Sequence, residues 1–428
     1  MNNIRSVFIG NFSLSEEKVY SLKSYAQFYN ELVRVSDGRE THVFAGYFLR
    51  NDPGFEFSFE QNLSSKIDFT LSRGNTSTTR LMPFLWNNLL LFIRLTCFCF
   101  KKGDYFIFLP SPIGVWGVLI VTLFRKANTL GVYIGGHYGR EQSFEKREGN
   151  IKKKIKNLSA IFVDRLVLYA IKKSDYVITS SYEYFHHHES TGKIFLTPPM
   201  LNVDATDLNH PPVREQEKYI TFCGELRHAK GVIDLLKAFA LLVNNKKIAN
   251  YKLKIIGSGQ AHDELFALAD KHGIMDMVIF CGQIKEKEVL KAELASSSIF
   301  VLPSYSEGFP RVAYECFALG VPTILTPVGG IPFLVKDGAH CLFSEPGNVD
   351  DLANKICQLL EDSTLRRNIA SAARQLMREK IFPRIESYGS LGKMVIEGIN
   401  QTKNNKDKPV PNRKGTNTEH NMLFRKTY

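Results

Sequence analysis

The stretch Ile299-Phe300-Val301-Leu302-Pro303-Ser304-Tyr305-Ser306-Glu307-Gly308-Phe309-Pro310-Arg311-Val312-Ala313-Tyr314-Glu315-Cys316-Phe317-Ala318-Leu319-Gly320 decides how this chain is read. Ile299 to Leu302 form a short apolar run with the composition of a strand buried on both faces. A polar loop that turns at Gly308 follows it, and then a helix. Glu307 lies in the loop and Glu315 on the helix, eight positions apart. A carboxylate accepts two hydrogen bonds at once, which suits vicinal hydroxyls. Backbone N–H groups at a helix start suit a phosphate. A ligand that carries both groups is a nucleotide-sugar.

Outward from that unit the same strand–loop–helix order recurs. Behind it lie strand-like segments at Tyr219 to Cys223, Tyr251 to Ile256 and Val278 to Cys281, and ahead of it Pro322 to Leu325. Helices are expected between them, notably at Val232 to Val243 and Glu288 to Ser296. The first half alternates in the same way. Its strands are expected at Ser6 to Asn11, Thr41 to Ala45, Tyr105 to Leu109, Leu130 to Ile134, Tyr176 to Ser180 and Lys193 to Leu196. Helical spacing runs over Tyr20 to Val35, from about Val115, and over Ile161 to Lys172. Residues 51–80 give no usable pattern. Such alternation implies an α/β chain with two doubly wound, Rossmann-like parallel sheets facing across a cleft. The Pro pairs at 198–199 and 211–212 mark a linker. The expected division is a first Rossmann-like domain over 1–205 and a second, carrying the Glu307 to Glu315 unit, over 213–384. A closing helix over 385–400 packs back on the first domain, and a disordered basic tail spans 401–428.

The net charge of +12 is uneven: +8 over residues 1–200, −1 over 201–400 and +5 over the last 28. A basic half beside a near-neutral half suggests a face that meets anions. Lys101-Lys102, Arg125-Lys126 and Lys146 to Lys156 all adjoin apolar stretches, which favours an anionic membrane surface over nucleic acid. Leu81 to Phe100 is interrupted by Asn87, Asn88 and Arg94, and Gly114 to Phe124 is too short to cross a bilayer. Both read as buried or surface-lying helices. Seven scattered cysteines without a framework, and no signal-like apolar segment after Met1, point to a cytoplasmic protein, peripheral at most.

Several further loops follow strands and so fall at the edge where doubly wound sheets bind ligands. Gly224-Glu225-Leu226-Arg227-His228-Ala229-Lys230-Gly231 opens a helix and offers the Lys230 ammonium to a diphosphate. Gly257-Ser258-Gly259 lets its loop pass close to a ligand or a neighbouring loop. Gly282-Gln283-Ile284 could read the edge of a base. His137, among Gly135, Gly136 and Gly139, could orient a sugar or assist proton transfer, and Arg140 could meet a phosphate. His186-His187-His188 point about 100° apart on a helix and do not converge on one ion. There is no Asp-x-Asp pair to clamp a metal–diphosphate complex. A site without metal or cofactor is expected.

On these residues the chain resembles glycosyltransferase family 4, whose members have the GT-B fold. The resemblance covers about Tyr219 to Leu360. It rests on Gly224-x-Leu226…Lys230-Gly231, Gly257-x-Gly259, Glu307-Gly308-Phe309, Glu315, Gly320-Val321-Pro322, Gly329-Gly330 and Gly338. The first half resembles the family only in pattern. The resemblance implies that Glu315 holds the ribose hydroxyls and that Glu307 faces the donor sugar with help from the Gly308, Phe309 and Pro310 segment. It implies that Lys230, with Arg227, neutralises the diphosphate and that His137 sits near the transferred sugar. Gly224, Gly257, Gly259, Gln283 and Ile284 complete the implied donor site. It also implies a retaining, metal-free transfer of sugar to a glycan. The basic, apolar first half suggests a lipid-linked surface polysaccharide or lipopolysaccharide as acceptor. A soluble acceptor, or an inactive nucleotide-sugar-binding subunit, is the alternative. Two departures stand out. Glu225 occupies the position where the family has Arg, and Asn11-Phe12-Ser13-Leu14 lacks the usual glycine pair.

Overall fold

The computed structural model describes residues 4–15, 18–21, 28, 31–32, 34–35, 41–47, 57–58, 67–73, 92–109, 112–124, 126–135, 164–197, 201–209, 218–245, 247–248, 250–307, 310–388 and 391–406. The strands of the first lobe are β1 (Ile4–Ser15), β2 (Lys18–Ser21), β3 (Thr41–Tyr47), β4 (Phe57–Ser58), β5 (Ile67–Arg73), β6 (Gly103–Leu109), β7 (Ala127–Ile134), β8 (Tyr176–Thr179) and β9 (Ile194–Leu196). Those of the second are β10 (Tyr219–Cys223), β11 (Lys252–Ile256), β12 (Val278–Gly282), β13 (Ile299–Leu302), β14 (Thr323–Leu325) and β15 (Leu342–Phe343).

Both lobes are built on parallel sheets, as the alternation predicts. In the first, β5, β3, β1, β6, β7, β8 and β9 lie side by side, every neighbouring pair parallel. In the second, the order is β12-β11-β10-β13-β14-β15, again parallel throughout. Parallel strands need crossovers of a dozen residues or so, which the intervening helices supply. All seven residues of β6 are buried, as a strand covered on both faces requires. In the second lobe Phe222, Phe239 and Phe300 are completely buried, each contributing roughly 2–3 kcal/mol of apolar transfer.

Two sequence expectations change, and one segment without a pattern gains a strand. The first strand does not stop at Asn11 but runs to Ser15, pairing antiparallel with β2 from Phe12↔Ser21 to Ser15↔Lys18. Asn11-Phe12-Ser13-Leu14 alternates polar and apolar, so a hairpin explains the segment, and Tyr20 belongs to the strand Lys18–Ser21 rather than to a helix. Within 51–80, which carries no clear pattern, β5 pairs with β3 over seven residues. The tail is ordered further than its polarity suggests: one helix spans Leu391–Lys406. Thr402 on it is buried, and Lys403 Nζ reaches the fully buried Asp104 of β6 at 2.8 Å. That helix packs on β7 and β8, with Gly398 against the Tyr176 ring. Lys146 to Lys156 and both proline pairs of the linker, at 198–199 and 211–212, lie outside the described residues.

Candidate functional site

The loops at the carboxyl edge of the second sheet lean on one another through backbone hydrogen bonds. Gly224 N–H donates to the Ile256 carbonyl (3.0 Å), Leu226 N–H to Ser258 (2.9 Å) and Gly257 N–H to Gly282 (2.8 Å). Gly257 has φ 140°, and a side chain there would overlap the Gly224 carbonyl oxygen. Close loop-to-loop approach is therefore what this glycine provides.

The loop after β10 carries the lysine. A single 3₁₀ turn, His228–Lys230, ends at Gly231 with φ 66°, and the helix Val232–Asn244 follows. A Cβ on Gly231 would overlap the carbonyl oxygen of Pro303, so the turn sits directly on the end of β13. Tyr305 N–H donates to the Ala229 carbonyl at 2.9 Å, and the Tyr305 hydroxyl donates to Asp234 Oδ2 at 2.5 Å. These contacts bring Lys230 to Glu307. Its ammonium donates to Glu307 Oε1 at 2.8 Å, and Ser304 Oγ donates to the same oxygen at 2.6 Å. Glu307 is only 6% exposed. A carboxylate at that depth needs such donors to remain charged.

Glu315 lies on the helix Arg311–Leu319, whose start at Pro310 has no side-chain cap. It is 4% exposed, and its Oε1 accepts the backbone N–H of Asn202 at 2.9 Å. Burial pushes its carboxyl above the usual glutamate range, while the Asn202 hydrogen bond and the Arg311 and Lys287 charges oppose that rise. The Cys223 thiol, at the end of β10, is pushed up to about 12, first by burial and then by the Glu315 charge. Glu315 thus stands beside the end of the strand that leads into the Lys230 loop.

Of the expected donor residues, Lys230 and Glu307 are in direct contact, and Glu315, Gly224, Gly257, Gly259, Gln283, Ile284 and Pro310 lie on this same edge. Arg227 pairs with Glu225 (Nε to Oε2, 3.2 Å), so the carboxylate that departs from the family pattern is countered two residues on. His137, Gly308 and Phe309 lie outside the described residues. His186 and His187 flank the Phe333 ring of the second lobe, with centroids 4.9 and 5.7 Å away. The sequence reading missed Ser304 and Asn202. Ser304, the first polar residue after an apolar strand and Pro303, carried a legible signal. Asn202 carried none, because only the fold brings it to a residue 113 positions on.

Residues 204–376 match the family model for glycosyl transferases group 1. N-acetyl-alpha-D-glucosaminyl L-malate synthase of Bacillus anthracis is 34% identical over 168 residues, 39% of this chain and 42% of that one. The chain thus spans under half the length of this relative. Sucrose-phosphate synthase from Thermosynechococcus elongatus superposes with a TM-score of 0.62 at 16% identity, over 95% of this chain and all of that one. Anabaena HepE, solved with UDP and glucose, gives 0.59 at 16% identity over 95% and 100%. The second lobe accordingly matches the glycosyl transferases group 1 model over residues 204–376, and the two parallel-sheet lobes together have the GT-B fold.

Proposed function

We propose that the protein is a retaining glycosyltransferase that moves a sugar from a nucleotide-sugar donor to a lipid-linked glycan of a surface polysaccharide or lipopolysaccharide. The observation that carries the donor half is the contact between Lys230 and the buried Glu307, beside the helix that presents Glu315. The Glu315 carboxylate takes the two ribose hydroxyls. Lys230 and the amides of the Arg311–Leu319 helix start take the diphosphate. That Anabaena HepE is complexed with UDP and glucose supports such a donor.

In the transfer, the anomeric C–O bond breaks and its electron pair leaves with the nucleoside diphosphate. The sugar develops oxocarbenium character. The acceptor hydroxyl attacks from the face the diphosphate leaves, and its proton passes to the departing phosphate oxygen. Lys230 stabilises the leaving charge, and Glu307 holds Lys230 and faces the sugar. Glu307 is not a nucleophile in this scheme, His137 is assigned to the acceptor side, and no metal is required. Incubation with a panel of nucleotide-sugars and lipid-linked acceptors tests it. Transfer in the presence of a chelator, with the anomeric configuration kept, is expected. Inversion, or a sugar trapped on Glu307, would overturn it.

The acceptor half rests on the first lobe. The helices over 92–99 and Pro112–Leu123 are clasped by Phe92 on Trp116 (centroids 5.7 Å) and by Phe100 on Phe124 (4.4 Å). Ile93, Phe100, Trp116, Leu123 and Phe124 are exposed, Leu123 by 75%. Lys101 and Lys102 are exposed beside them, and the Lys126 ammonium lies over the Phe100 ring at 5.6 Å. An apolar patch with a basic rim suits an anionic bilayer surface. Among the described residues no helix is long and apolar enough to cross a membrane. A soluble acceptor is the second reading, favoured by the identity shared with the malate synthase of Bacillus anthracis. Transfer to free sugars or hydroxy acids without lipid would establish it.

A further inference from the structure

A cavity of about 650 Å³ opens on the side of the second lobe away from the donor site. Tyr251, Ser298 and Pro322 line it, and each immediately precedes a strand: β11, β13 and β14. The cavity therefore lies at the amino edge of the sheet, whereas Lys230, Glu307 and Glu315 lie at the carboxyl edge. Strands of three to five residues separate the two edges by roughly 10–17 Å.

One wall is a single helix face. Arg367, Ser371, Arg374 and Arg378 follow one another at steps of four, three and four, the spacing of one stripe along the helix Ser363–Leu376 and its continuation. Arg366 adds a fourth guanidinium, and Glu379, which accepts a hydrogen bond from Gln375 at 2.8 Å, is the carboxylate in the lining. The lining thus carries a net charge of +3.

Two of the arginines are held in place by the fold. Arg366 donates to the Leu359 carbonyl at 2.8 Å and to that of Leu360, the last turn of the helix Val349–Glu361. Arg374 donates to the Leu208 carbonyl of the interlobe segment. Burial, and then the Arg378 charge, push the Arg374 guanidinium below its ordinary pKa. Like charges gathered in a concave site repel one another, and an anion between them removes that cost. Guanidinium groups also match phosphate oxygens in a fork geometry. Leu208, Tyr251 and Pro322 leave apolar room for an organic group beside the phosphate.

The geometry points to a second ligand site: the Arg366–Arg367–Arg374–Arg378 cavity binds a phosphorylated molecule, separately from the nucleotide-sugar. The same chemistry is offered by a soluble phosphate ester and by a phospholipid headgroup. One wall belongs to the segment that joins the lobes, so an occupant touches both the last helices and that joint.

Calorimetric titration of the full chain with pyrophosphate tests this. The Lys230→Ala variant, impaired at the donor edge, should still bind pyrophosphate at one site. Adding Arg367→Gln and Arg378→Gln, which spare the two arginines that hold backbone carbonyls, should weaken that binding about tenfold or more. Ser371→Glu, which places a carboxylate in the cavity, should do the same and serves if the double arginine variant fails to fold. The Arg367→Gln/Arg378→Gln chain with Lys230 intact should bind a nucleoside diphosphate as the unaltered protein does. Co-sedimentation with phosphatidylglycerol and phosphatidylcholine vesicles separates the sources. Loss of phosphatidylglycerol binding in the double variant assigns the site to a headgroup, and unchanged vesicle binding with lost pyrophosphate binding assigns it to a soluble ester. Complete loss of pyrophosphate binding in Lys230→Ala, or unchanged binding after the cavity substitutions, would overturn the proposal.

Discussion

Glu315 Oε1 accepts a hydrogen bond from the backbone N–H of Asn202 at 2.9 Å, so the carboxylate assigned to the ribose is already tied to the segment that joins the lobes. The Asn202 side chain adds a further hydrogen bond to the same carboxylate, and burial still makes its charge costly.

Replacing Glu315 by Gln should therefore raise the stability of the empty protein near neutral pH, because the amide oxygen still accepts from Asn202 and the buried charge is gone. The folded-state pKa is raised, so ionisation costs stability as pH climbs past the ordinary glutamate value of about 4.3. Above the folded-state value the cost is complete; below about pH 4 it vanishes. Thermal midpoints of the two proteins should converge in acid and separate toward neutrality, with Glu315→Gln the higher. Equal midpoints across that range would remove the argument.

Lys230→Met should cost on the order of 3 kcal/mol in stability, since it takes the ammonium away from the buried Glu307 carboxylate and leaves the Ser304 hydroxyl to hold it. It should also lower turnover roughly 100-fold or more through the leaving diphosphate. Adding Glu307→Gln should restore much of the stability but not the turnover. Denaturant unfolding and a transfer assay on the single and double variants separate the two effects.

Tyr305→Phe keeps the ring and deletes the hydroxyl that donates to Asp234. A hydrogen bond to a carboxylate contributes about 1.5–3 kcal/mol, and Asp234 is buried at 8% exposure. Unfolding should show a loss in that range. The loop carrying Glu307 would be held less firmly on Ala229, so the donor KM should rise more than kcat falls.

Leu123→Glu together with Phe124→Glu places two charges in the exposed apolar patch of the first lobe. Binding to phosphatidylglycerol vesicles should drop about tenfold or more, while nucleoside diphosphate affinity stays unchanged. Equal vesicle binding would separate the patch from any membrane role.

The second lobe was legible almost strand for strand. Its strands are short and apolar, β13 and β14 are buried throughout, and a glycine follows each strand or closes it. Lys230, Glu307 and Glu315 could be named because their chemistry sits at loop and helix positions that any doubly wound sheet puts at one edge. What was hidden depended on tertiary context. Lys254 sits inside β11 at 5% exposure because Glu293 meets it at 2.6 Å and the Tyr219 ring lies beneath it, and neither partner is adjacent in the chain. The β1–β2 hairpin was passed over because its alternation follows directly on an apolar run. Helix order to Lys406 depends on Asp104, some 300 residues away.

The most direct measurement compares a nucleoside diphosphate with its 2′,3′-dideoxy analogue, each titrated calorimetrically into the unaltered protein and into Glu315→Gln. Loss of the ribose hydroxyls should cost the unaltered protein about tenfold or more in affinity and cost Glu315→Gln little, because the hydroxyls and the carboxylate act as a pair. The same loss in both proteins would show that Glu315 does not hold the ribose and would contradict the assignment of this edge as the donor site.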